Sequence, residues 1–201
     1  MKEGLLAIFK IFVFLLVLPL VIAAAGAFQI QILGLPVHKE QWFLWGMVVF
    51  LLLYLFFYNF KDVHTFGQGI VSHFSKSFQS LANVAGSVIP IYTVFIICLY
   101  LILNILGITV RYEGYLLFVL SFSITMHIVL TAHQLYEADS SPLKAQYFLV
   151  FSLAFVVSLL IVSLLLGLTI PEFSFIDFFK VLSHRASSYY GSTYKVFFVS
   201  P

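Results

Sequence analysis

A histidine set among hydroxyls is the first arrangement in this chain that could do chemistry. Ser123, His127 and Thr131 follow at four-residue steps, Ser121 and Thr125 lie nearby, and Gln134 continues the row. At about 100° per residue, a four-residue step on a helix keeps side chains on one face. Inside an apolar stretch such a face should turn toward a bundle interior, a water-filled cavity or a partner helix. Two chemistries fit. The imidazole could relay protons or hold a polar ligand on a path through His127. Alternatively the same groups bond across helices, with Asn104 or the Tyr92–Thr93 region as partners, for about 0.6–2 kcal/mol each. The second carries more weight. Transport cycles use costly ionisable groups, and no Asp, Glu, Lys or Arg lies near the middle of any apolar stretch after residue 42.

Two further histidines invite a metal reading. His64 and His73 are nine residues apart, about 900° around a helix, so on one continuous helix they face opposite sides. Only a bend at Gly67–Gly69 would bring them together, and they are read as interfacial, non-ligating residues. Cys98 is the one cysteine; mid-helix, it reads as a small apolar filler, and no disulfide can form within the chain. No metal, cofactor or catalytic residue is expected.

The elements that must position these groups are five long apolar stretches, at about residues 5–28, 42–60, 84–108, 114–132 and 147–168. With 19 to 25 residues each, they match the roughly 30 Å hydrocarbon core of a bilayer. Composition agrees: 62% hydrophobic and 9% charged, against about 25% charged in an ordinary soluble domain. A net charge of +2 without a basic patch excludes nucleic acid as a partner. The expected fold is therefore an all-α integral membrane protein, a bundle of about five transmembrane helices in a plasma or inner membrane. The first stretch is too long for the apolar part of a signal peptide, although Ala23–Ala27 resembles a cleavage site, and it is read as a retained span. Lys10 snorkels, Pro19 and Pro90 kink their helices, and the small residues of Ala23–Ala27 and Ala85–Ser87 allow close packing. Lysine and arginine divide five against five between the two sides, with a lean toward a cytoplasmic amino terminus.

Outside the spans, residues 29–41 and 109–113 read as loops, and Asp139-Ser140-Ser141-Pro142 as a helix-start signal. In 61–83, Val63, Phe66, Ile70, Phe74, Phe78 and Leu81 form one apolar stripe, so this segment is expected to be an interfacial or re-entrant amphipathic helix. The first domain is thus 1–168, and 169–201 is an amphipathic, aromatic tail. There Phe173, Ile176, Phe179 and Leu182 step by three. Tyr189, Tyr190 and Tyr194 follow in a run without helical periodicity. These seven residues are the expected partner contacts, because tyrosine rings combine contact area with a hydroxyl.

The run Thr65-Phe66-Gly67-Gln68-Gly69-Ile70-Val71-Ser72 follows a membrane helix. It sits where site-2-type intramembrane zinc metalloproteases, and small related membrane proteins, carry Phe-Ser/Gly-His-Glu-x-x-His. Ile89-Pro90-Ile91-Tyr92-Thr93, Phe122-Ser123-Ile124-Thr125-Met126-His127 and Pro171-Glu172-Phe173-Ser174-Phe175 also resemble that group, so the similarity touches about residues 60–180. It implies a degenerate relative. The two zinc-binding histidines and the glutamate base would fall on Gln68, Gly69 and Ser72, which can supply neither. The third ligand, an aspartate of a later span, has no counterpart.

The function expected from the sequence is a non-catalytic membrane subunit that scaffolds or binds other subunits or copies of itself in the bilayer. The alternative is a small transporter or channel component using the Ser123–His127–Thr131 face.

Overall fold

The computed structural model describes residues 2–57, 60–74, 88–107, 113–140 and 142–198. They form seven helices: α1 Lys2–Leu33, α2 Val37–Phe57, α3 Lys61–Phe74, α4 Ile91–Ile105, α5 Glu113–Ala138, α6 Ala145–Thr169 and α7 Phe175–Phe198. No strand occurs among the described residues. Four helices, α1, α2, α5 and α6, are long and apolar enough to cross a membrane.

Helix boundaries follow the breakers rather than the polarity. Gln29, Gln31, His38, Lys39 and Glu40 all lie in helix, and only Gly34–Pro36 interrupt it, so the expected 29–41 loop is a tight turn. Polar side chains propagate a helix well; glycine and proline do not. The third expected span, 84–108, is shorter in the structure. α4 has 15 residues, about 22 Å, and begins immediately after Pro90, which therefore starts a helix instead of kinking one. Residues 84–87, with the small-residue run Ala85–Ser87, and residue 108 lie outside the described residues, as does 75–83 of the expected amphipathic segment.

Two pairs of helices running in the same direction make the frame. α1 lies along α6, with Lys10 Nζ 3.0 Å from Gln146 Oε1 and the Phe14 and Phe148 rings 5.3 Å apart. α2 lies along α5, with Trp42 against Tyr115 at 4.9 Å and Phe50 against Phe122 at 5.2 Å. Gly46 makes the second pairing close, since a Cβ there would collide with the Phe118 carbonyl and Ser121 Oγ. α4 runs antiparallel to α5, with Ile97 and Tyr100 in the same core as Leu117 and Leu120. Between α5 and α6 the chain reverses through left-handed Leu143 and Lys144, φ 62° and 51°. The buried Asp139 carboxylate accepts from the Tyr147 N–H at 2.7 Å, anchoring the first turn of α6.

The tail departs most from expectation. α7 is one continuous helix through Phe198 that folds back along α1. Ala23, Ala24 and Ala27 are fully buried against Val156, Leu159, Phe178 and Leu182. The stretch holding Tyr189, Tyr190 and Tyr194, read as non-helical, is helical because its neighbours already lie on a helix with a packed face. Residues 199–201 lie outside the described residues.

Candidate functional site

The polar face of α5 is buried where α3, α4 and α6 converge. Ser123, His127 and Thr131 are all buried. Each bonds to a different helix, which a row on one face can do only at a junction. Ser123 Oγ lies 3.0 Å from Thr93 Oγ1 of α4. His127 Nε2 is 3.4 Å from Ser158 Oγ of α6. Thr131 Oγ1 is 3.3 Å from His64 Nε2 of α3. Gln134, further along the same row, is exposed.

His64 therefore faces into the bundle. It is buried, and its ring centroid lies 5.9 Å from that of His127. α3 is held there by the Tyr92 hydroxyl, which donates to the Val63 carbonyl, and by Gly67, where a Cβ would meet the Tyr92 ring. Burial pushes the His64 pKa down to about 4, so the ring is neutral at pH 7. His73 is exposed, on the other side of α3.

The hydrogen-bond directions limit the chemistry. Ser158 has one proton, and it goes to the Val88 carbonyl at 2.7 Å. His127 Nε2 must then donate to Ser158 Oγ, which makes it the N–H of that ring. In that arrangement His127 is a donor to Ser158 and not a base on it, and among the described residues no carboxylate bonds to the imidazole. Among the described residues no group of three or more His, Cys, Asp or Glu could hold a metal. Beside the two rings is a cavity of about 10 Å³ also lined by Gln68, Pro90, Tyr92 and Ser123. That is room for about one water. The Gln68 amide nitrogen is buried there without a hydrogen-bond partner among the described residues.

A second polar junction stands at the start of α5. Lys39, buried at the start of α2, reaches Glu113 of α5 at 2.5 Å and Glu172 of the α6–α7 turn at 2.8 Å. The hydrogen bond from Lys39 holds the Glu172 carboxyl below the usual carboxylate range. It closes one end of the bundle by charge where the first junction closes the middle by neutral groups.

The expected partner contacts divide. Phe173 and Leu182 are buried in the chain's own core, whereas Ile176, Phe179, Tyr190 and Tyr194 are exposed and Tyr189 is half-buried on α1. A step of three drifts around a 3.6-residue helix, so those four apolar residues never formed one face. The face that packs on α1 and α6 is Phe175, Phe178, Val181, Leu182, Ala186 and Tyr189. Cys98, read as a small apolar filler, is exposed on α4.

Of the slots implied by the protease resemblance, Gln68 faces the small cavity, Gly69 is exposed, and the Ser72 side chain lies outside the described residues. His64, Gln68 and Ser158 are site residues that periodicity missed. The only signal for Ser158 was a hydroxyl in an apolar run. Compared with known proteins, the chain matches no family model, no curated protein and no solved structure.

Proposed function

We propose that this chain is a multi-pass subunit of a plasma or inner membrane that binds or scaffolds partner polypeptides without catalysing a reaction. The observation that carries this is the outer face of α7. Its start is tied to Gln31, whose Oε1 accepts from the Ser174 N–H at 3.2 Å, and Tyr190 donates to the Leu16 carbonyl at 2.8 Å. α7 therefore follows α1 for about 22 Å of its length, beside a helix composed to sit in hydrocarbon. Yet Asp177, Lys180, Ser183, His184, Ser187 and Ser188 are exposed along it, with Ile176, Phe179 and Tyr190 interleaved. Asp177 and Lys180 pair with each other at 2.9 Å, but lipid is a poor neighbour for the remaining serines and His184, because polar groups in hydrocarbon cost free energy unless paired. A second polypeptide can satisfy both the hydroxyls and the rings.

Photo-crosslinking in native membranes tests this. A photoreactive residue at position 184 should yield a polypeptide adduct, and one at the inward position 178 should not. Adducts to lipid alone at 184 would defeat the reading. The resemblance to site-2-type proteases is, on this proposal, ancestry without chemistry, supported by the absence of a base or ligand at Gln68 and Gly69.

A second reading, a transporter or channel component, is favoured by one specific feature. α4 starts beside Ser123, partway along α5, and so presents a helix end next to two buried histidines, as discontinuous helices do in many carriers. Proton-coupled flux into liposomes that vanished with His127→Asn would favour it over the scaffold.

A further inference from the structure

α1 and α2 meet at the Phe28 and Phe43 rings, 6.0 Å apart near the turn that joins them, and then follow different partners. The wedge left open between them is a cleft of about 440 Å³, within the roughly 300–1,000 Å³ of small-molecule sites. Phe28 and Gln29 form one wall and Phe43 and Met47 the other, with Ile128 of α5 and Leu159 of α6 as the floor. Among the described residues, Gln29 and Thr125 are its only polar lining, and the Thr125 hydroxyl already donates to the Ser121 carbonyl at 2.7 Å.

We propose that this cleft holds one acyl chain of a bilayer lipid, with the Gln29 amide bonding to the ester group at its head. All four helices bordering the cleft are long and apolar enough to cross a membrane, so its mouth opens on hydrocarbon. Water inside would find almost no hydrogen-bond partner, and an empty cleft would forfeit the dispersion contacts of its walls. A polypeptide backbone entering it would leave N–H and C=O groups unpaired; an acyl chain has none to leave. Gln29 fixes the polarity of the occupant. It is exposed, four residues before the end of α1, about 6 Å inside that end, at the depth where chain esters meet hydrocarbon. The proposal does not depend on the reading of α7.

The test uses the full chain purified in mild detergent and examined by native mass spectrometry. Ala25 and Leu44 are exposed at the cleft, so Ala25→Trp and Leu44→Trp should each lower the fraction carrying one phospholipid about tenfold, equivalent to about 1.4 kcal/mol of affinity. Ile8→Trp, exposed elsewhere on α1, should leave it unchanged. A reporter that keeps the cleft open covers the case of a rim variant that fails to fold. With Trp42→Phe and Trp45→Phe removing the native tryptophans, Phe28→Trp in phosphatidylcholine vesicles with brominated acyl chains should be strongly quenched. Equal lipid retention in rim and control variants, or an unquenched Trp at position 28, overturns the proposal. So does efficient disulfide cross-linking of two copies through Ala25→Cys in a Cys98→Ser background, which would put protein in the cleft.

Discussion

Two buried regions of this bundle reach the same low exposure by opposite means. Where α1, α6 and α7 meet, Ala23, Ala24 and Ala27 let the backbones approach and Phe178 fills the remaining space, with no hydrogen bond among those side chains. Where α3, α4, α5 and α6 meet, two imidazoles and four hydroxyls are buried instead, joined by contacts of 3.0–3.4 Å across helices. The first junction tolerates no change of volume, because close-packed interiors feel a single methylene. The second tolerates changes of shape but not the loss of a partner, because a buried polar group left alone costs its full desolvation. Steric fit holds the tail to the bundle; bonding capacity holds the middle.

The comparison is broken most directly at Phe178. Phe178→Ala should cost about 3–5 kcal/mol of stability, the range for deleting a buried ring, and should release α7 from α1. Thermal unfolding in detergent together with proteolysis after α6 would show it. Little loss there would mean that α7 is held from outside the chain. Next in size, His127→Leu should cost about 1–3 kcal/mol, since it strips a donor from Ser158 and leaves a buried hydroxyl short of one partner. His127→Asn or Gln should recover most of that loss. Equal damage from Leu and Asn would move the middle junction into the packing class.

Thr93→Val is a gentler probe, nearly equal in volume but lacking the hydroxyl that meets Ser123. About 0.6 kcal/mol is expected, the average for such bonds in membrane proteins, read from the same unfolding curves. The smallest effect near neutral pH comes from His64. Its folded pKa, lowered to about 4 by burial beside His127, lies below the unfolded value of 6.5. Between those two values the unfolded chain binds a proton that the folded chain does not. Stability should thus be flat above about pH 7.5, begin to fall as pH passes through 6.5 and decline progressively toward pH 4. His64→Gln should flatten that slope, and a slope unchanged in the variant would mean that His64 is not the titrating group.

Apolar length by itself determined that this chain is a set of membrane-scale helices, since spans near 30 Å need only composition and rise per residue to be recognised. It also determined the shared face of Ser123, His127 and Thr131 and the opposed directions of His64 and His73, because a helix sets angles within one element. The relations between elements were decided by tertiary structure alone. His64 and His127 are 63 residues apart in the sequence, and no periodicity within α3 or α5 could say that those two faces meet. Lys39 finds Glu113 and Glu172 only because three helix ends gather at one end of the bundle. The tail depends on tertiary structure in the same way. Residues 187–194 have weak periodicity of their own, and it is the groove along α1, closed by three alanines and the Tyr190–Leu16 hydrogen bond, that selects a helix there. Local sequence sets which conformations are cheap, and only the surface a segment lands on chooses among them.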